Sequence, residues 1–271
     1  MPAPSTARAA GSDRGADDFG LDPDFVDGVL APLLRPLAHR WFRLTASGLG
    51  NVPDAGPALV VANHSGVLPL DALMTALTLH DEHPAHRRLR MLGGDVLFRA
   101  PVLRELVRKA GATRACVEDA DRLLAAGEVV GVWPEGYKGI GKPFGQRYQL
   151  QRFGRGGFVS VAIRAAAPIV PCAIVGAEEA YPMLADAPAI AWLLRLPYFP
   201  ITPTFPWLGP LGLIPLPSQW LIDFGEPIPT VTYGAQRADD PALITELTGR
   251  TREAVQVALD RLLAQRGPAF G

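Results

Sequence analysis

Cysteine is nearly absent: Cys116 and Cys172 are the only two among 271 residues. Two thiols build neither a disulfide framework nor a zinc knuckle, and such sparse use fits a reducing compartment. Histidine is scarce as well, at five residues. His80, His83 and His86 fall on a charged segment, and nothing near His64 completes a ligand set, so no metal site is expected. A basic excess is missing: 26 Lys+Arg stand against 27 Asp+Glu, a formal charge of −1, which excludes a general nucleic-acid binder. The first 20 residues hold no apolar run, so no secretory signal is read there. Their polar composition predicts a disordered tail over residues 1–20. The longest uncharged stretch, residues 196–222, is interrupted by Pro197, Pro200, Pro203, Pro206, Pro210, Pro215 and Pro217. Proline removes backbone donors that a lipid-embedded helix must satisfy internally, so this stretch does not span a membrane.

Apolar residues are abundant. They make up 48% of the chain, and mean hydropathy is +0.15. That excess calls for apolar surface meeting a lipid, a partner or a large groove. Much of it sits in residues 187–222, where Arg195 is the one formal charge among Trp192, Tyr198, Phe199, Phe205, Trp207 and Trp220. The segment is expected to be a membrane contact or an acyl-chain wall. The acidic residues Asp13, Asp17, Asp18, Asp22, Asp24 and Asp27 gather near the N-terminus, so the near-zero net charge covers a basic body suited to anionic lipid surfaces.

Hydrophobic periodicity orders the rest. Phe25, Val29, Leu33, Leu37, Trp41 and Leu44 recur every three or four residues and predict an amphipathic helix over 24–46. That helix packs on the core, or lies at a lipid interface with Trp41 and Phe42 at the headgroup level beside Arg40 and Arg43. Short apolar strands at 58–62, 89–92, 129–133, 169–175 and 221–224 alternate with helices at 70–79, 102–110, 119–126, 157–166 and 245–265. Continuously apolar strands alternating with helices indicate an α/β fold with a mostly parallel central sheet flanked by helices. No repeat or boundary divides the chain, so residues 21–271 read as a single domain.

Ligands of such sheets bind at the carboxyl ends of strands. The first strand runs into Asn63-His64-Ser65-Gly66, the third into Pro134-Glu135-Gly136-Tyr137-Lys138, and the fourth into Gly176-Ala177-Glu178-Glu179. His64 is the leading candidate for a general base, with Asp71 opening the next helix to fix its tautomer. Ser65 lacks the Gly-x-Ser-x-Gly elbow of a nucleophile. The glycine-rich stretch 139–157 lacks the Gly-x4-Gly-Lys-Ser/Thr pattern of a P-loop.

These blocks, with Phe98-Arg99, Trp133-Pro134-Glu135-Gly136 and Val170-Pro171 in that order, resemble the glycerophospholipid acyltransferase family, which includes the lysophosphatidate acyltransferases. The stretch from Gly145 to Gly156 (GQRYQLQRFGRG) resembles the monoacylglycerol/diacylglycerol acyltransferase-like branch. The resemblance implies transfer of a fatty acyl group to a hydroxyl of a lysophospholipid or glycerolipid. The donor is acyl-CoA or acyl carrier protein as co-substrate, with no further cofactor. His64 and Asp71 are the implied catalytic pair; Arg99, Glu135, Gly136 and Lys138 are implied at the substrate. An amide near Gly136 or Val170 is a candidate oxyanion donor.

Residues 137–177 hold Lys138, Lys142, Arg147, Arg152, Arg155 and Arg164 and no acid. Of these, Lys142, Arg147, Arg152 and Arg155 are candidates for CoA phosphates. Three departures stand out: six residues separate His64 from Asp71 where the family has four, Trp133 replaces Phe, and Tyr137-Lys138 replaces Thr-Arg. Lysine keeps the charge and loses the bidentate fork. A cytoplasmic enzyme held at the inner face of the membrane is the expectation. A lipid-binding protein on the same fold, or a lipid hydrolase or thioesterase, is the competing one.

Overall fold

The strands are β1 (Thr45–Ser47), β2 (Ala58–Ala62), β3 (Leu89–Gly93), β4 (Ala112–Arg114), β5 (Val129–Val132), β6 (Ile169–Val175), β7 (Ala185–Asp186), β8 (Pro200–Ile201) and β9 (Leu221–Phe224), and runs rich in Val, Ile, Leu and Ala build β2, β5 and β6. The computed structural model describes residues 16–66, 68–196 and 198–270. Among these residues, seven strands form one sheet in the order β1-β9-β6-β2-β5-β3-β4. β2 pairs in parallel with β5 and β6, and β3 with β4 and β5. β9 runs antiparallel to β6, with β1 parallel to it at the edge. The sheet is therefore mostly parallel, as expected. Every residue of β2 and β6 is buried, because helices cover both faces.

The helices are α1 (residues 23–41), α2 (Leu70–Glu82), α3 (Pro101–Lys109), α4 (Val117–Ala125), α5 (Tyr137–Ile140), α6 (Gly157–Arg164), α7 (Ala177–Ala180), α8 (Pro188–Leu194) and α9 (Pro241–Gln265). Val60 and Ala62 face a core shared with Leu34 and Ala38 of α1 and with Met74 and Leu77 of α2. Leu59 and Val61 point the opposite way, as strand alternation requires, toward Leu123 of α4, Ile163 of α6 and Leu259 of α9.

Two expectations are corrected. The lead-in helix ends at Trp41 and not at residue 46, because residues 45–47 join the sheet as β1. Pro32 and Pro36 stay inside the helix, which widens to π-helical turns at Val26–Leu30 and Leu37–Trp41. A wide turn re-routes the carbonyls that proline leaves without a donor. Residues 16–20, expected to belong to a disordered tail, are held against the fold. Residues 1–15 lie outside the described residues, but the Asp17 carboxylate accepts from the amides of Phe19 and Leu21, both at 2.9 Å. Asp17 also pairs with buried Arg90, and the Phe19 ring is faced by the guanidinium of Arg122 at 4.6 Å.

The proline-rich segment lies between β6 and β9. It holds α8 and β8, and β8 pairs antiparallel with β7 just ahead of the segment. Hydrogen bonds to the rest of the chain seat it, among them Tyr198 Oη to Gly66 O at 3.5 Å, Tyr181 Oη to Leu213 O at 2.7 Å, Trp41 Nε1 to Pro215 O at 2.9 Å, and Arg99 Nη1 to Arg195 O at 2.7 Å. Its outer side chains face water, with Trp192 82%, Trp207 70% and Leu211 67% exposed. Val102 of α3, beside Arg99, is 74% exposed. Trp220 does not belong to this surface. It is fully buried and stacks on Phe42 at 4.5 Å. Among the described residues no helix is long and apolar enough to cross a membrane.

Candidate active site

The carboxyl ends of β2, β5 and β6 meet in the middle of the sheet, and each end delivers one functional stretch. Asn63 follows β2 directly, and its side chain takes the place of one more ladder pair. Its Nδ2 donates to Ile174 O at 2.9 Å, and its Oδ1 accepts from Ile174 N at 2.7 Å. This clamp fixes the strand end from which His64 emerges. Gly66 then takes φ +94°, a left-handed conformation open to glycine at little cost, and the chain doubles back to α2.

That reversal absorbs the six-residue spacing. His64 Nδ1 lies 2.6 Å from Asp71 Oδ2. Asp71 is fully buried in the first turn of α2, where the helix dipole favours a carboxylate. Its oxygens also accept from Ser65 N at 3.0 Å and Ala72 N at 2.8 Å, so the carboxylate cannot swing away from the ring. With Nδ1–H donating to Asp71, the neutral imidazole carries its basic lone pair on Nε2. Ser65 Oγ is buried and has no hydrogen-bond partner, so no base activates it.

His64 lines an apolar cavity of about 230 Å³ with Leu73, Leu97, Val107, Trp133 and Tyr137. Small residues, among them Ala72, Gly93, Ala112 and Ala115, line it as well. A Cβ on Gly131 would come within 3.1 Å of the Trp133 ring, so Gly131 makes room for the indole inside a strand. A Cβ on Gly94 would stand 2.7 Å from Tyr137 Oη, so the phenol seats against Gly94.

Glu135 and Lys142 are corrected. Glu135 is buried, and both its oxygens accept backbone amides, from His64 at 3.0 Å and from Gln151 at 2.6 Å. Its carboxylate is thus spent on tying the end of β2 to the loop that follows α5. Lys142 is buried between Glu178 at 3.1 Å and Glu135 at 3.7 Å, and therefore meets no phosphate. Burial pushes the Glu178 carboxyl up to about 7, against the opposing pull of Lys142.

Arg147 lies over the Phe144 ring at 4.5 Å and 3.8 Å from Glu179. Arg99 donates to the Arg195 carbonyl and is absent from the cavity lining. The Gly136 amide closes a turn on Trp133 O at 3.0 Å, and Val170 is buried opposite Val60 within the sheet, so neither amide is a free oxyanion donor. Gly136 lines the cavity. Lys138, Arg152 and Arg155 line a separate open groove.

Sequence reasoning gave no role to the ion network beneath. Glu179 takes two bonds from Arg266, at 2.7 and 3.0 Å, and one from Tyr148 Oη, which itself accepts from Gly176 N at 2.8 Å. Desolvation beside Glu179 raises the Tyr148 hydroxyl well above its ordinary range. The signal available was the Glu178-Glu179 pair directly after a buried strand. No group of His, Cys, Asp and Glu that could hold a metal ion occurs among the described residues.

Residues 43–175 match the family model described as Acyltransferase. An uncharacterized protein of Mycobacterium tuberculosis is 58% identical over 258 residues, covering 95% of this chain and 72% of its own length. A human protein described as a DGAT1/2-independent enzyme synthesizing storage lipids is 25% identical over 224 residues, covering 82% of this chain and 62% of its own length. The crystal structure of the 1-acyl-sn-glycerophosphate (LPA) acyltransferase PlsC from Thermotoga maritima superposes with a TM-score of 0.54. Its sequence identity is 16%, and the match covers 83% of this chain and 74% of that one. That likeness concerns the fold.

Proposed function

Because this chain belongs to the acyltransferase family, we propose that it moves a fatty acyl group from acyl-CoA or acyl carrier protein to a hydroxyl of a lysophospholipid or glycerolipid. The 2.6 Å contact between His64 and Asp71 beside an apolar cavity carries this reading. His64 Nε2 takes the proton of the acceptor hydroxyl as its oxygen attacks the thioester carbonyl. The C–S bond breaks, and His64 returns the proton to the departing thiolate. Asp71 holds the ring and offsets its transient positive charge. The acyl chain lies in the cavity. A hydrolase reading has less support, since Ser65 has no base. The test is thiol release from acyl-CoA with and without acceptor: release that depends on acceptor supports transfer, and equal release in both supports hydrolysis.

Cavity size then bears on chain length. Val107 lines the cavity from α3 and is partly buried, so the site has slack to take a larger ring. Val107→Phe is expected to shift preference toward shorter acyl-CoA, measured as kcat/KM across a chain-length series; an unchanged profile removes the cavity as the acyl site.

The exposed apolar side chains of the proline-rich segment support peripheral attachment to a membrane, by insertion of side chains and not by a spanning helix. Trp207→Asp with Leu208→Asp is expected to weaken sedimentation with anionic vesicles by roughly tenfold or more, since two buried apolar side chains contribute a few kcal/mol. Unaltered binding would assign the segment another role.

A further inference from the structure

The basic stretch after β5 divides sharply once its partners are known. Lys142 sits between two carboxylates, Arg147 leans on Glu179, and Arg164 pairs with Asp121 at 3.0 Å. Lys138, Arg152 and Arg155 are exposed, and no carboxylate pairs with them among the described residues. These three line one open groove of about 460 Å³. Glu135 also borders that groove, but the amides of His64 and Gln151 occupy its oxygens. The groove is thus a concentration of positive charge that the protein itself leaves uncompensated.

The loop carrying the arginines is held in place. Gln151 N donates to Glu135, Gly154 N donates to Pro134 O at 3.1 Å, and Arg252 donates to the Gln151 carbonyl at 3.2 Å. Phe153, between the two, is buried. Pinning both sides of Arg152 to the β5–α5 turn keeps the cations together at lower entropic cost on binding. Tyr137 lines both this groove and the apolar cavity that contains His64. The two spaces adjoin across one phenol ring, itself seated against Gly94.

We propose that Lys138, Arg152 and Arg155 form a phosphate-binding subsite for the molecule whose acyl chain fills the cavity, so that the donor's CoA phosphates lie in the groove while its thioester reaches His64 past Tyr137. The inference rests on the acyl-transfer reading and adds which substrate carries the anion. Phosphate also occurs on lysophospholipid acceptors, and the two sources separate in the test. Two guanidinium groups suit phosphate oxygens, and their exposed position makes the contact salt-sensitive.

The test is calorimetric binding of palmitoyl-CoA, and separately of a lysophosphatidate, to wild type and the Arg152→Ala/Arg155→Ala double variant, with circular dichroism to verify folding. The expected result is palmitoyl-CoA binding about tenfold or more weaker in the double variant, a shallower salt dependence, and lysophosphatidate affinity equal to that of wild type. Palmitoyl-CoA binding that is unchanged in the double variant overturns the proposal. A loss confined to lysophosphatidate overturns it too, since the groove then serves the acceptor. Failure of the acyl-transfer reading shows differently, as bound palmitoyl-CoA that wild type never turns over. Lys138→Ala offers a second variant should the double one misfold, with the same loss expected in smaller measure.

Discussion

His64→Ala is expected to lower acyl transfer by about 10²–10⁴-fold, the range over which a positioned general base acts. The side chain is partly exposed at the cavity wall, and its ring is held by one bond to Asp71. Fold stability and vesicle binding should therefore change little. Asp71→Asn is expected to cost a similar factor for a different reason. The amide can present its NH₂ to Nδ1, which favours the tautomer with the proton on Nε2, where the base is needed. Asp71 also receives two backbone amides, so this variant should lose some thermal stability as well. Initial rates and melting curves on the same preparations separate the two effects. Wild-type turnover in His64→Ala would remove the histidine from the mechanism.

The second large effect is on folding. Lys142→Met leaves Glu135 and Glu178 buried near one another with no cation between them. Removing one partner of a buried ion network costs about 3–5 kcal/mol, because the remaining charge has no water to return to. Against a typical stability of about 5–15 kcal/mol this is a severe loss, equivalent to a melting point lower by roughly 10 °C. Adding Glu178→Gln removes one stranded charge and is expected to recover part of it; a double variant no better than the single would show that Lys142 acts through packing alone.

The same carboxyl sets a pH dependence. Burial raises Glu178 from 4.5 to about 7, so the folded state holds a proton that the unfolded chain has released. Its stabilising contribution is complete below pH 4.5 and fades as pH rises through 7. The difference amounts to about 3 kcal/mol at most. Melting points across pH 5–8 should fall for wild type and fall less for Glu178→Gln. Parallel curves would place the titration elsewhere.

The sheet and the dyad were legible because they rest on local signals. Ala58–Ala62, Val129–Val132 and Ile169–Val175 are apolar runs bounded by turn residues, and His64 follows the first of them directly. Strands of three residues such as Thr45–Ser47 and Ala112–Arg114 carry no period and were not legible. The helix start at Pro241 was missed although Asp240 is a capping residue that accepts from Ala242 and Leu243. The spacing between His64 and Asp71 looked damaging because residue counts do not show how a loop doubles back; Gly66 at φ +94° does.

Charge was the least readable property. In sequence, Lys138, Lys142, Arg147, Arg152 and Arg155 look alike. Their difference lies in acids brought from far along the chain, Glu178 and Glu179 above all. Glu135 belongs to the same lesson: its place in the motif pointed to substrate, and its bonds point to the His64 backbone.

The central claim is transfer of an acyl group from a thioester to a lipid hydroxyl. Mass spectrometry of products from the purified protein, given one acyl-CoA and pooled lysophospholipid, monoacylglycerol and diacylglycerol acceptors, tests it most directly. The account predicts a new acyl ester and free CoA in equal amounts, both lost in His64→Ala. Free fatty acid without any ester, or no consumption of acyl-CoA with any acceptor, would contradict it.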